Sequence, residues 1–148
     1  MDLTPQILEL ENSPFSHLLR EVDNMRFVVK DVQHRYLYVK RVWQERLGFS
    51  DKSVKKLIGK TALYIFPKWR ANRYILEEKE VMEKGKVYDY EEYALNADGV
   101  IERWRTIKTA WVREGKVVGY INMGTKLGLA LEKKQDQLPH VVREMVKY

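Results

Sequence analysis

Val87-Tyr88-Asp89-Tyr90-Glu91-Glu92-Tyr93-Ala94-Leu95, the connector Asn96-Ala97-Asp98-Gly99, an unbroken run from Ile101 to Val112, the connector Arg113-Glu114-Gly115 and a last run from Lys116 to Gly124 decide the fold. The three runs are rich in tyrosine, valine, isoleucine, tryptophan and threonine, side chains that suit a pleated, half-buried surface. Both connectors place an acidic residue directly before glycine, a pair that tolerates the positive dihedrals of a tight hairpin turn. The stretch reads as three antiparallel strands, 87–95, 101–112 and 116–124, in a meander.

Upstream of the meander, Trp69 to Lys84 has sparse apolar positions (Tyr74, Val81, Met82). Its Glu77, Glu78, Lys79, Glu80, Glu83 and Lys84 supply surface pairs at three- and four-residue spacing. This predicts a long helix on the surface, ended by Gly85. Before it, Thr61 is placed to cap a short helix carrying Ala62, Leu63, Ile65 and Phe66, and Pro67 breaks the pattern. Trp43, Arg46 and Leu47 predict a further helix that stops at Gly48, with Ser50 or Asp51 capping the next turn. Residues 25–30 and 34–40, separated by Asp31-Val32-Gln33, read as a hairpin. At the N-terminus Leu3, Ile7 and Leu10 fall at helical spacing. Ser13-Pro14 then opens a second short helix running to about Asp23, expected to bury Phe15, Leu18, Leu19 and Val22.

Two strands, several helices, then three strands is an α+β order. Its simplest closure is one five-stranded antiparallel sheet with short helices over one face, plus an N-terminal flanking helix. Over residues 15–125 the order and spacing of these features resemble a PAS domain. The carriers are the helix from Arg41 to Gly48, the stretch Leu57-Ile58-Gly59-Lys60-Thr61 with Phe66-Pro67, and Tyr90-Glu91-Glu92, Asp98-Gly99 and Gly115-Lys116-Val117-Val118-Gly119. The resemblance implies a sensor that holds a small molecule between sheet and helices and relays its presence to a C-terminal effector. Two positions depart from the family pattern: Lys40 stands where many members have asparagine, and Lys126-Leu127-Gly128 follows Thr125 where many have an Asp-[Ile/Val]-Thr sequence. The expected division is 1–23 flanking helices, 24–125 the PAS domain, and 126–148 a linker with the cut-off start of a downstream helix. Leu138 to Tyr148 is similar to the opening helix of an AraC-type helix-turn-helix domain, which implies a transcription regulator. A histidine kinase or a cyclic-dinucleotide enzyme is the alternative parent.

Composition narrows the chemistry. The 148 residues include no cysteine. That excludes disulfides, thiolate metal sites and the cysteinyl photochemistry of flavin-binding relatives. His17, His34 and His140 lack metal-ligand spacing and none lies on the long helix, so haem is not expected. Gly59-Lys60-Thr61 mimics the end of a phosphate-binding loop, but Val54 stands where that loop needs its first glycine. Glu91 and Glu92 fall on opposite faces of a strand and cannot share a proton, and no nucleophile elbow is present, so no enzyme activity is expected. No apolar run has membrane-span length and no secretory signal is visible, which places the chain in the cytoplasm. Residues 25–74 carry 13 Lys and Arg against 3 Asp and Glu. They are scattered singly and read as solvated surface rather than a nucleic-acid site, so DNA would be reached only through an effector domain beyond this chain.

On the middle strand of the meander, Trp104, Thr106, Lys108 and Ala110 alternate with Arg103, Arg105, Ile107, Thr109 and Trp111. The first set should face inward, since the second would bury two arginines. An inward Lys108 needs a carboxylate partner or an anionic ligand group. Within the resemblance, the expected ligand site is Lys108, Trp104, Thr106 and Asn122 with the aromatic walls Tyr38, Trp43, Tyr64, Phe66, Tyr88 and Tyr90, around an unidentified small molecule. A homodimer is expected through Leu3, Ile7, Leu10, Leu18 and Val22, and a ligand-free dimerisation scaffold is the competing reading.

Overall fold

The computed structural model describes residues 2–22, 24–40, 56–95 and 99–129. In chain order the elements are α1 (Thr4–Glu11), α2 (Pro14–Glu21), β1 (Met25–Asp31), β2 (Tyr36–Val39), a 3-10 turn (Ala62–Tyr64), α3 (Lys68–Lys84), β3 (Tyr88–Leu95), β4 (Ile101–Arg113) and β5 (Lys116–Leu129). The expected helix from Arg41 to Gly48, the caps at Ser50 and Asp51, and the helix from Leu138 lie outside the described residues.

The five strands form one antiparallel sheet in the order β2-β1-β5-β4-β3. The first and last strands in sequence therefore pair at its centre. The β4–β5 turn is made by Glu114 and Gly115, both at positive φ, as the acid–glycine signal requires. β5 continues to Leu129, beyond the strand end expected at 124, because Trp104, Arg103 and Glu102 of β4 still offer partners to Lys126, Gly128 and Leu129.

Helices cover both faces. Register places Phe27 and Val29 of β1, Ile121 and Met123 of β5 and Trp111 of β4 on one face, which we call outer. There they pack with Ile7 of α1 and Leu19 of α2. Burying a side chain such as Leu19 contributes about 1.5–3 kcal/mol. The opposite, inner face meets α3 and the 3-10 turn. β1 is consequently buried on both sides, as a central strand between two helical layers must be.

Local signals held at several ends. Ser13 caps α2, its hydroxyl accepting from the Ser16 backbone N–H at 3.2 Å with Pro14 at the first helical position. Gly85 ends α3 in the left-handed conformation with φ 60°. Thr61 precedes only one 3-10 turn and its side chain makes no cap bond. The burial expected of α2 is corrected: Leu19 is buried, whereas Phe15, Leu18 (65% exposed) and Val22 remain exposed. Eight helical residues over a sheet edge can turn only one narrow stripe inward, and Leu19 with Ser16 occupies it.

Candidate functional site

The inner face of the sheet is polar to an unusual degree for a protein interior. Antiparallel register sets Arg26, Val28 and Lys30 of β1 beside Gly124, Asn122 and Tyr120 of β5, and these beside Thr106, Lys108 and Ala110 of β4. Tyr88, Tyr90 and Glu92 of β3 continue the rows. The inward reading of Trp104, Thr106 and Lys108 agrees with their burial.

Ion pairs cross this face, among them Arg26–Glu92, Lys30–Glu78 and Lys108–Glu77. Arg26 Nη2 donates to Glu92 Oε1 at 2.7 Å and to Thr106 Oγ1 at 3.0 Å, and the Thr106 hydroxyl donates to Glu92 Oε1 at 2.8 Å. The Arg26 guanidinium also lies 5.2 Å from the Trp104 ring centre. Burial pushes the Glu92 carboxyl up, but Arg26, then Lys108 and the two hydrogen bonds, outweigh it and hold the group below the usual carboxylate range. Lys30 Nζ donates to Glu78 Oε2 of α3 at 2.7 Å and lies 4.3 Å from the Tyr36 ring centre. Burial dominates there and lowers the lysine pKa despite the carboxylate beside it. Glu78 Oε1 meets His34 Nδ1 at 3.1 Å.

Lys108 is 4% exposed. Its Nζ donates to Glu77 Oε2 of α3 at 3.2 Å and lies 5.3 Å from the Tyr90 ring centre. Burial opposes the ammonium, yet Tyr120, Glu92, Glu77 and Tyr90 together hold it above the ordinary lysine range. Its carboxylate partner is therefore Glu77, while Glu92 is taken by Arg26 and Thr106. Asn122 donates through Nδ2 to the Tyr120 hydroxyl at 3.2 Å, and its buried Oδ1 has no hydrogen-bond partner among the described residues. Burial raises the phenols of both Tyr120 and Tyr36. The face thus brings together a buried ammonium, a buried amide oxygen without a partner among the described residues, and aromatic rings.

The aromatic walls divide. Tyr88 and Tyr90 lie in register on the Lys108 face. Phe66 is half-buried and stacks edge-on against Tyr74 of α3 at 5.2 Å, while Tyr64 is exposed beneath Lys60. Tyr38 is a correction. A bulge opposite Val29 puts Leu37 and Tyr38 together on the outer face, where Tyr38 stacks on Phe27 at 5.8 Å and its hydroxyl meets Ser16 Oγ at 3.3 Å. Tyr36 is the tyrosine of β2 that faces inward. Trp43 lies outside the described residues. Of the expected partner-interface positions, Leu3 and Ile7 are buried and Leu10 is half-buried against the domain's own core, leaving Leu18 and Val22 exposed. Sequence reasoning missed Arg26, Lys30, Tyr36, Glu77, Glu78 and Tyr120. The Arg26–Lys30 spacing, which puts both on one face of a strand, was the available signal.

No protein-family model matches the sequence, and no curated protein matches it. Solved structures do. A VqmA structure bound to DPO aligns with a TM-score of 0.65 at 20% identity, covering 82% of this chain and 58% of that one. The Vibrio cholerae VqmA dimer, described among LuxR-type receptors, aligns at 0.64 and 21% identity, covering 76% and 50%. The PAS domain of Bordetella pertussis BvgS aligns at 0.63 and 13% identity, covering 90% and 92%. The fold is that of a PAS domain. The chain spans about half the length of the V. cholerae VqmA chain. No helix among the described residues is long and apolar enough to cross a membrane.

Proposed function

We propose that this chain is the small-molecule-sensing PAS module of a cytoplasmic transcription regulator, taking its ligand between the sheet and α3 and relaying occupancy to a C-terminal effector. The observation that carries the reading is Lys108, a buried ammonium held at 3.2 Å by a half-exposed Glu77 and set directly opposite Asn122, whose carbonyl oxygen is buried without a partner among the described residues. A ligand carboxylate, enolate or phenolate competes with Glu77 for Lys108, while a ring N–H or hydroxyl meets Asn122. Trp104, Thr106, Tyr88 and Tyr90 form the remaining wall, with Tyr64 and Phe66 on the helical side. The ligand is an organic molecule rather than haem, and the module is no enzyme. VqmA, which shares the fold and has been solved bound to DPO, supports this reading. The module acts as a homodimer through its N-terminal helices, where Leu8, Phe15, Leu18 and Val22 stay exposed, and it reaches DNA only through an effector.

A second reading has its own support: Arg26–Glu92 and Lys30–Glu78 already satisfy one another, as in a filled, ligand-free dimerisation scaffold. Native mass spectrometry of the purified domain against its denatured mass separates the two. A retained small molecule, lost in Lys108→Ala while the melting temperature changes little, supports sensing. A clean apo dimer with no thermal shift across a metabolite panel would leave the scaffold.

A further inference from the structure

A cleft of about 430 Å³ lies at the β2 edge of the sheet, remote from Lys108, between α1 and Ile58. Its floor is apolar, with Ile7 and Leu37, and the Asp31–Arg35 pair on its wall is internally neutralised at 2.7 Å. Its α1 bank is acidic, and the segment that carries its other bank is flanked by lysines. The α1 bank presents Leu8, 51% exposed, beside Asp2 and Glu11. The other bank runs along β2, where Tyr36 exchanges backbone hydrogen bonds with Gly59 and Lys60, and presents Ile58, 45% exposed, between Lys56 and Lys60. From Lys52 to Leu76 the sequence contains no acidic residue, and residues 1–24 carry five acids against one arginine.

A groove with an apolar floor, an acidic bank and lysines flanking the other bank is complementary to itself after a half-turn, because the rotation brings each acidic bank to the other copy's lysines. We propose that this cleft is where a second copy docks, about a two-fold axis, with α1 of each copy lying against residues 56–60 of the other. The inference rests on the homodimer reading above and assigns its contact surface. Leu8 then covers the partner's Ile58, and Glu11 faces the partner's lysines.

The test uses the full chain in sedimentation equilibrium at low and high salt. The wild type should dimerise, more weakly at high salt. Glu11→Lys and Lys60→Glu should each weaken dimerisation about tenfold, and the two combined should restore it to within about threefold of wild type. Because the chain has no cysteine, Leu8→Cys and Ile58→Cys proteins can also be mixed under mild oxidation, and disulfides between unlike chains should dominate over those between like chains. A dimer broken by Leu18→Asp but indifferent to both charge reversals keeps the homodimer reading and overturns this one. Dominant Leu8→Cys homodimers do the same, by showing α1 against α1. A wild type that stays monomeric at about 100 μM overturns both readings.

Discussion

Glu78 holds Lys30 on one carboxylate oxygen and His34 on the other, with Lys30 and Glu78 both removed from water. Such a pair contributes little net stability, because desolvation offsets its attraction, but removing one partner strands the other charge. Glu78→Gln should therefore lower the unfolding free energy by about 3–5 kcal/mol, whereas Lys30→Met with Glu78→Leu should recover most of that loss. Equilibrium urea denaturation of the single and double variants measures both, and a single-variant loss below about 1 kcal/mol would mean that water reaches the pair in solution. These residues also show what the sequence discloses. Lys108 was legible because the alternative facing of β4 would bury Arg103 and Arg105. Lys30 was not: on β1 the charged residues Arg26 and Lys30 alternate with Phe27 and Val29, a pattern that reads as one wet and one dry face until a helix is known to cover the wet side. Glu77 was illegible as a partner because it lies 31 positions from Lys108 on another element.

The central strands meet most tightly at Gly119, where an added Cβ would run into the Lys30 carbonyl oxygen of β1 and lie 3.2 Å from the Trp111 ring. The backbone oxygen belongs to a strand buried on both faces and cannot retreat. Gly119→Ala should accordingly cost about 1–3 kcal/mol, read as a lower urea midpoint, and an unchanged midpoint would show that β5 can shift against β1. At this scale strand and helix identities were readable from composition and turn chemistry, as the β4–β5 turn and the Gly85 stop illustrate. Facing was not always readable. Strict alternation puts Tyr36 and Tyr38 on one face, and a single extra residue at the β2 bulge sends Tyr38 to the outer face. Nothing in Tyr36-Leu37-Tyr38 announces that bulge. Burial of α2 was over-read for a related reason: its apolar residues fit a helix buried all round, while the sheet receives only one stripe.

Across the whole molecule, the inner-face ion pairs tie β1 to β3 through Arg26–Glu92, β1 to α3 through Lys30–Glu78, and β4 to α3 through Lys108–Glu77. Acid should weaken the first of these through Glu92. Its carboxyl is held below the ordinary value of 4.5 in the folded chain, so at low pH the unfolded chain binds the proton more readily than the folded one. The group's contribution is complete above about pH 4.5 and is lost as the pH falls through the folded pKa. Unfolding free energies from urea titrations between about pH 3 and 7 should therefore decline on the acid side. Glu92→Gln should be less stable than wild type at pH 7, because Arg26 loses its counter-charge while Thr106 keeps a neutral acceptor. Its acid slope should be shallower, so the two curves converge as the pH drops. Parallel curves would place the acid sensitivity elsewhere on the molecule and leave Glu92 a neutral spectator of the sheet it spans.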